Sequence, residues 1–361
     1  MDKVKRFIDC YIPTETCNLR CHYCYITQRR KFNSKIAHFS HSLEEIRRAF
    51  SKQRLGGVCL INLCAGGETL LSDEVLPVVK TLISEGHYVM IVTNGTLTKR
   101  FLEISQFSEN ICSHLFIKFS FHYLEMVRLG WLERFSENVN LMKNHGVSFT
   151  VEITPSDELI PHIDDIKEFC IKHFGALCHV TIARDDRTGG IDVLSELDFD
   201  TYKSVWKQFN SELFQFKSEI FYIKRKEFCY AGDWSLYINL ESGSIKQCYC
   251  GNELGNIYDF SDELHFKAIG YNCTLPHCYN GHAFLTIGDI PEICSTTYDL
   301  TRNRTCTDGT EWLQPEMKYI MHSRLQDSNK QFSKSKKWWV SNEHKHFNKF
   351  RRLASKIKHF R

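Results

Sequence analysis

Cys17, Cys21 and Cys24 stand in the run Thr-Glu-Thr-Cys-Asn-Leu-Arg-Cys-His-Tyr-Cys-Tyr, a C-x3-C-x2-C spacing just after a predicted first strand. Three thiolates can hold three irons of a [4Fe–4S] cluster, because each iron normally takes one Cys. The fourth iron then has no protein ligand and can bind and activate a small molecule. Gaps this short let one tight loop turn all three thiols inward. The competing chemistry is a zinc knuckle or packed structural cysteines. Zinc sites usually pair C-x2-C with a second pair or with histidines, and the sequence places no such pair nearby.

The elements around this loop alternate strand and helix signals through the first half of the sequence. Strands are predicted at Phe7–Pro13, Gly57–Cys64, His87–Thr93, His114–His122, Val147–Thr154 and Cys178–Arg184. Helices are predicted at Ser42–Arg54, with Ser42 and Glu45 as a capping box, and at Ser72–Glu85, Thr98–Phe107, Leu132–Asn144 and Asp157–Phe174. Six βα repeats imply parallel strands with right-handed crossovers, in a doubly wound sheet or an open barrel. Two strands alternate, with Phe116, Lys118, Ser120 and His122 on one face of the fourth, and Ser148, Thr150, Glu152 and Thr154 on one face of the fifth. A parallel strand covered on both faces should be apolar throughout, so this alternation favours a barrel with a wet interior that receives a ligand.

Composition narrows the class. The protein has 361 residues, 42% of them hydrophobic, enough for one large or two modest domains. Sixteen Cys would suggest disulfides in a secreted protein. Asp9 and Cys10 interrupt any signal peptide, however, and no stretch reaches the ~18 apolar residues of a membrane span. A cytoplasmic protein whose cysteines serve metals is expected. Residues 325–361 hold eleven Lys/Arg and two Asp/Glu, a net +9 against −6 for the remainder, which marks a boundary near 325. In this tail Phe347, Phe350, Leu353, Ala354, Ile357 and Phe360 share one helical face among basic residues, after Trp338-Trp339. Such a helix can dock on the acidic body, lie on an anionic membrane surface or grip an acidic partner. No reader motif accompanies the charge, so nucleic acid is not an expected partner.

Ala65-Gly66-Gly67-Glu68-Thr69 follows the second predicted strand. With Cys17, Cys21, Cys24 and the aromatic Tyr23, it resembles the radical SAM (S-adenosylmethionine) enzymes and their Gly-Gly-Glu motif. Two glycines allow close backbone approach to a bound amino acid, and Glu68 offers a carboxylate to its ammonium. The resemblance implies an α/β fold, a partial (β/α)6 TIM-like barrel over 1–190 with its site at the C-terminal strand ends. It implies a three-Cys [4Fe–4S] cluster chelated by S-adenosylmethionine. Less specific matches are Asn94 at the third strand's end, Ser120 toward the ribose and Arg184 toward the cofactor carboxylate. Lys118, His122 and Glu152 are candidates for substrate contact or proton transfer.

Beyond a linking helix (191–218, centred on Asp198–Gln215), residues 219–324 are Cys-rich and short-stranded, and read as a small α+β domain. Cys229 and Gly243-Ser-Ile-Lys-Gln-Cys248 resemble the opening of a SPASM or twitch extension, in which a hairpin of Leu236–Leu240 and Ser244–Tyr249 turns at Gly243. The C-x2-C-x5-C-x3-C series of a full extension is absent. One auxiliary [4Fe–4S] cluster on Cys229, Cys248, Cys273 and Cys278 is expected, with Cys250 as alternate and His277 or His282 as stand-ins. A zinc site on the same ligands is the alternative. Cys10, Cys59, Cys64, Cys112, Cys170 and Cys178 read as packing residues. The expected reaction is reductive cleavage of S-adenosylmethionine to a 5′-deoxyadenosyl radical that takes hydrogen from a substrate C–H bond. A reductase, flavodoxin or ferredoxin would donate the electron. A peptide or protein side chain is the first substrate class, although a barrel starting at residue 7 leaves no room for a leader-binding domain before it. A sugar or cofactor precursor is the alternative, and a metal-stabilised binding module without catalysis is the third reading.

Overall fold

The structure, a computed structural model, describes residues 3–278 and 282–342. Six parallel strands run β1 (Arg6–Ile12), β2 (Cys59–Ala65), β3 (Tyr88–Thr93), β4 (Leu115–Phe121), β5 (Ser148–Ile153) and β6 (His179–Val180). They are neighbours in sequence order, as right-handed βα units require. Three more strands, β7 (Ser235–Asn239), β8 (Ser244–Lys246) and β9 (Glu253–Asn256), complete one sheet in the order β6-β5-β4-β3-β2-β1-β7-β8-β9. The fold is α/β, an open partial barrel of mostly parallel strands.

The sheet has two differently filled faces. Outward residues such as Ile8, Ile61, Ile91, Ile117 and Val151 join the helices in one buried apolar cluster. The helices at Val75–Ser84, Leu132–Asn144 and Ile163–Phe174 each bury one apolar stripe there. On the inner face Phe7, Leu60, Met90 and Phe116 form a second cluster with Phe284, Tyr298, Leu313 and Met317. The segment from about 284 to 325 thus plugs the floor of the barrel. Phe7 packs edge-on against Phe284, with ring centroids 5.3 Å apart. The polar face of β5 is covered rather than wet at this level, since Ser148 Oγ accepts from Gln314 N at 2.9 Å. Higher up, the polar faces of β4 and β5 do look inward, as the alternation predicts.

Local signals explain where elements stop. Ser42 and Glu45 form the expected capping box. That helix closes at Ala49, because Ser51 caps a separate turn at Lys52–Leu55 that ends on left-handed Gly56. The sixth strand is only two residues long. Beyond it Ala183 N donates to Tyr202 Oη at 3.1 Å, and Leu194 N donates back to Ala183 O at 2.9 Å, so the backbone leaves the sheet. The linking helix is broken. Asn210 takes a left-handed φ of 47°, and Ser211 caps a new helix at Glu212–Ile220 while its Oγ also accepts from Val180 N at 3.0 Å. The hairpin turns at Gly243 (φ 76°), where a Cβ would sit 2.2 Å from Asn256 Oδ1. Its second strand ends at Lys246, so Cys248 follows the strand instead of lying on it. β7 pairs in parallel with β1 over Phe7–Tyr11. The Cys-rich segment therefore extends the barrel's own sheet.

The tail's Phe347, Phe350, Leu353, Ala354, Ile357 and Phe360 lie outside the described residues. Among the described residues no helix is long and apolar enough to cross a membrane.

Candidate active site

Backbone pairing seats the cysteine loop. Past the β1–β2 ladder, Gly67 N donates to Thr14 O at 2.6 Å and Glu68 N to Thr16 O at 3.0 Å. The two motifs are therefore adjacent strands of one local ribbon. A Cβ on Gly67 would lie 2.0 Å from Thr16 O, and one on Gly66 would lie 3.0 Å from Tyr11 Oη. The clearance that the glycines provide is taken up on that side by the loop that carries Cys17. Tyr25 Oη donates to Gly66 O at 2.6 Å, which ties the loop's far end to the same ribbon.

Glu68 is 2% exposed and accepts from three donors: Thr93 Oγ1 at 2.7 Å, Asn94 N at 2.7 Å and Leu70 N at 3.0 Å. Burial raises its carboxyl above the usual range, and the three hydrogen bonds oppose that rise. Asn94 continues the line of contacts, because its Nδ2 donates to Asn18 Oδ1 at 2.7 Å and faces Cys17 Sγ at 3.8 Å. Asn18 Nδ2 in turn donates to Thr96 Oγ1 at 2.8 Å. The third strand's turn thus braces the first cysteine.

Cys17, Cys21 and Cys24 line one cavity with Gly66, Gly67, Glu68, Asn94, Ser120 and His122. Below the loop Tyr23 Oη and His122 Nδ1 are 2.6 Å apart. Burial pushes the Cys17 thiol up to about 11 and raises Cys21 and Cys24, and Cys17 and Cys21 are raised further by their neighbouring thiols. Three thiols brought together in a low-dielectric pocket ionise only with a cation among them. Among the described residues no three His, Cys, Asp or Glu side chains close on a single metal ion. Three thiols are the donor set of three corners of a [4Fe–4S] cluster.

Residues 11–170 match the sequence profile of the Radical SAM superfamily. This stretch of the protein is a radical SAM domain. The matching span contains the three cysteines, Gly66 to Glu68, Asn94, Ser120 and Glu152. The superfamily is one of enzymes that use a [4Fe–4S] cluster and S-adenosylmethionine. The protein is similar to the 7-carboxy-7-deazaguanine synthase of Aquifex aeolicus, 31% identical over 28% of this sequence and 42% of that one. It is also similar to the enzyme of that name from Thermoplasma acidophilum, 32% identical over 25% and 39% of the two sequences. The similarity spans about two fifths of the length of these curated relatives. In fold it resembles Streptococcus suis SuiB bound to S-adenosylmethionine, with a TM-score of 0.50 and 14% identity over 75% of this protein and 67% of that one.

Beneath the cysteine-lined cavity the inner face carries charge. Lys118 Nζ lies 3.0 Å from Glu152 Oε2. Glu152 also takes the guanidinium of Arg302, whose other nitrogen meets His282 Nε2. Burial and then Arg302 lower the Lys118 ammonium from its ordinary value, and burial lowers Arg302 to about 9. On β1 Asp9 accepts from Asn62 Nδ2 at 2.7 Å and from Tyr249 Oη, and burial raises its carboxyl. Arg184 Nη2 lies 3.6 Å from Asp186, next to the cysteine loop's Gln28, which donates to Arg184 O at 2.9 Å. Sequence reasoning named Lys118, Glu152, His122 and Arg184 but not Asp9, Tyr249, Arg302 or the buried Lys217, whose Nζ donates to Thr181 Oγ1. Asp9 was readable from the inward set Phe7, Asp9 and Tyr11. Arg302 sits in a loop that carries no periodic signal.

The second group of thiols converges from three parts of the sequence. Cys250 contacts both Cys248 and Cys273, and those two contacts are the leading influences on its acidity. Cys278 is raised to about 12 by burial and then by Cys273 and Cys250. Cys229 is raised by burial, Asp289, Cys278 and Cys273. Five thiols therefore gather, one more than the expected four, and Cys250 stands among them. His277 lies tilted against Phe221 with ring centroids 4.2 Å apart, and His282 turns toward Arg302. Cys10, Cys59, Cys112, Cys170 and Cys178 are core residues, whereas Cys64 is half-buried on the inner face.

Proposed function

We propose that this protein is a radical SAM oxidoreductase that reductively cleaves S-adenosylmethionine and uses the 5′-deoxyadenosyl radical to take hydrogen from a C–H bond of a peptide or of a protein residue. The observation that carries this reading is the shared cavity of Cys17, Cys21, Cys24, Gly66, Glu68 and Asn94. Cys17, Cys21 and Cys24 would hold three irons. Glu68, which already accepts from three donors, would also accept from the ammonium of S-adenosylmethionine. Ser120 would meet the ribose, and Arg184 the carboxylate. The aromatic floor excludes water from below, so a substrate carbon held at the mouth is confined near the cofactor, as such steps require.

Cys229, Cys248, Cys273 and Cys278 would hold one auxiliary [4Fe–4S] cluster, with Cys250 as reserve, in a SPASM- or twitch-like extension over 219–324. Its role is to accept the electron left after hydrogen abstraction. A flavodoxin, ferredoxin or reductase would supply the first electron. The peptide assignment rests on the resemblance of the Cys229–Cys248 segment to that extension. A small-molecule substrate is the second reading, favoured by the two deazaguanine synthases among the relatives. The tail, with Trp338 and Trp339 about half exposed, would meet an anionic surface or an acidic partner.

Anaerobic incubation of the reconstituted protein with dithionite and S-adenosylmethionine tests the core of the proposal. 5′-Deoxyadenosine and methionine should form. Iron-replete protein that binds S-adenosylmethionine and yields neither would turn the reading toward a metal-stabilised binding module.

A further inference from the structure

Between the two groups of thiols the interior is charged out of balance. Lys118, Arg302, Lys217 and Arg184 all face this space, with His282 among them. Arg302 is fully buried, and Lys217 and Glu152 are each 4% exposed. Glu152 serves two cations, Lys118 and Arg302. Asp186 likewise serves two, Arg184 at 3.6 Å and Arg29 at 3.5 Å. Lys217 has a hydroxyl in place of a carboxylate, donating to Thr181 Oγ1 at 2.6 Å. Arg302 Nε and His282 Nδ1 have no hydrogen-bond partner among the described residues.

These groups feel one another. Arg184 and Lys118 both lower Lys217, and all three lower His282. Cys278, of the second thiol group, pulls Lys217 the other way. Lys118 lies on β4 two residues below Ser120, which lines the first cavity. The cations therefore bridge the two sites. Removing an unpaired ammonium or guanidinium from water costs several kcal/mol unless an anion meets it. Glu152 is already shared and Asp9 also faces Lys118, so among the described residues Lys217 and the Arg302 Nε are the groups that no carboxylate meets, and an anion from outside the protein can meet both.

The geometry points to a substrate carboxylate held by Lys217 and Arg302, with Lys118 beside them, so that the C–H to be attacked lies next to an acidic group, as in an Asp, Glu or C-terminal residue of a peptide. This assignment rests on the proposed function only in taking the barrel mouth as the substrate site. Both terminal nitrogens of Arg302 are taken by Glu152 and His282, so its Nε is the donor left for the carboxylate, and Lys217 adds a point charge.

The test is calorimetric titration of the holoprotein, preloaded with S-adenosylmethionine so that the cofactor's own carboxylate is satisfied. The titrants are succinate, its neutral diamide and inorganic phosphate. Succinate should bind at least tenfold more tightly than the diamide and more tightly than phosphate. Lys217→Met should lose at least tenfold in succinate affinity, and Lys217→Arg should recover most of it. Iron content reports whether each variant is folded, and the wild-type comparison alone is decisive if Lys217→Met is not. Equal binding of succinate and diamide overturns the site, and tighter phosphate overturns the carboxylate. Lys217→Met that shifts the second cluster's midpoint potential while leaving succinate binding intact also overturns it, by showing that the cations serve the cluster. Failure of 5′-deoxyadenosine formation with succinate binding intact would count against the radical reaction and leave the anion site standing.

Discussion

The two cysteine groups are built on opposite plans. Cys17, Cys21 and Cys24 share one loop of eight residues, hung from a β1–β2 ribbon and braced by Asn18 and Asn94. Cys229, Cys248, Cys250, Cys273 and Cys278 are spread over fifty residues and meet only because the backbone folds back across β7 and β8. Closing a short loop costs little conformational entropy, so the first site needs little but its own sequence and a neighbouring strand. The second must be assembled by the fold, and it carries a spare thiol. If both groups hold clusters as proposed, the first site is the intolerant one, where every ligand has one seat, and the second has redundancy.

The sharpest way to break this contrast is by single ligand removal. Cys24→Ala should abolish 5′-deoxyadenosine formation, a loss beyond a thousandfold, because no fourth thiol stands in that cavity among the described residues. Cys229→Ala should keep cleavage of S-adenosylmethionine and stop substrate turnover. Product analysis by liquid chromatography separates the two. Retained turnover in Cys229→Ala would mean that the second site is dispensable to the chemistry.

Seating is tested next. Gly67→Ala places a Cβ against the Thr16 carbonyl, 2.0 Å away. That is a backbone clash, which a rotamer shift does not relieve, and overpacking of this kind costs about 1–3 kcal/mol. The loop should lift, and iron at the first site should fall severalfold while the auxiliary iron stays. Mössbauer or EPR spectra of the two clusters would show it. Equal loss from both sites would mean that the ribbon supports the whole barrel and not the loop alone.

The contrast also explains what could be read in advance. The six βα strands, the Ser42 capping box and the three-thiol loop follow from local patterns, and the structure shows each within a few residues. β6 is short because Ala183 finds Tyr202 and residues 192–194, partners that no window around the strand contains. The parallel pairing of β7 with β1 joins residues more than two hundred apart, and no periodicity encodes it. The barrel's floor is the same case, since Phe284, Tyr298 and Met317 look like an ordinary apolar scatter until the sheet closes on them. Lys217 sits in Phe214-Gln-Phe-Lys-Ser-Glu-Ile220, where polar Gln215, Ser218 and Glu219 around it make a sequence pattern read it as a surface residue. Chemistry carried on one loop was legible, and chemistry made by convergence was not.

Redundancy at the second site predicts a smaller, graded response. Cys248→Ala should retain most of the auxiliary iron, because Cys250 stands against both Cys248 and Cys273 and can take the vacated place. Cys278→Ala should lose it, and Cys248→Ala/Cys250→Ala should match that loss. The measured quantity is iron per protein in a background lacking the first cluster. If Cys248→Ala alone empties the site, Cys250 is not a reserve ligand and the contrast between the two plans disappears.

The smallest effect probes the charged space between the sites. Lys118 faces Glu152 and Arg302, with Asp9, Cys64, Arg184, Lys217 and His282 also around it. Burial and Arg302 hold its ammonium below the ordinary lysine value of 10.5. Between the lowered folded value and that ordinary one, the unfolded state binds the extra proton, so stability rises with pH across this window. One proton gives a slope of at most about 1.4 kcal/mol per pH unit. Urea unfolding of the holoprotein between pH 7.5 and 9.5 should therefore show a rise that Lys118→Met flattens by about 1 kcal/mol per unit. Succinate should flatten the wild-type slope as well, since a bound carboxylate holds the proton on. An identical slope in wild type and Lys118→Met would mean that Glu152 alone keeps this lysine fully charged. The space between the clusters would then be balanced by the protein itself, with no need of an acidic substrate.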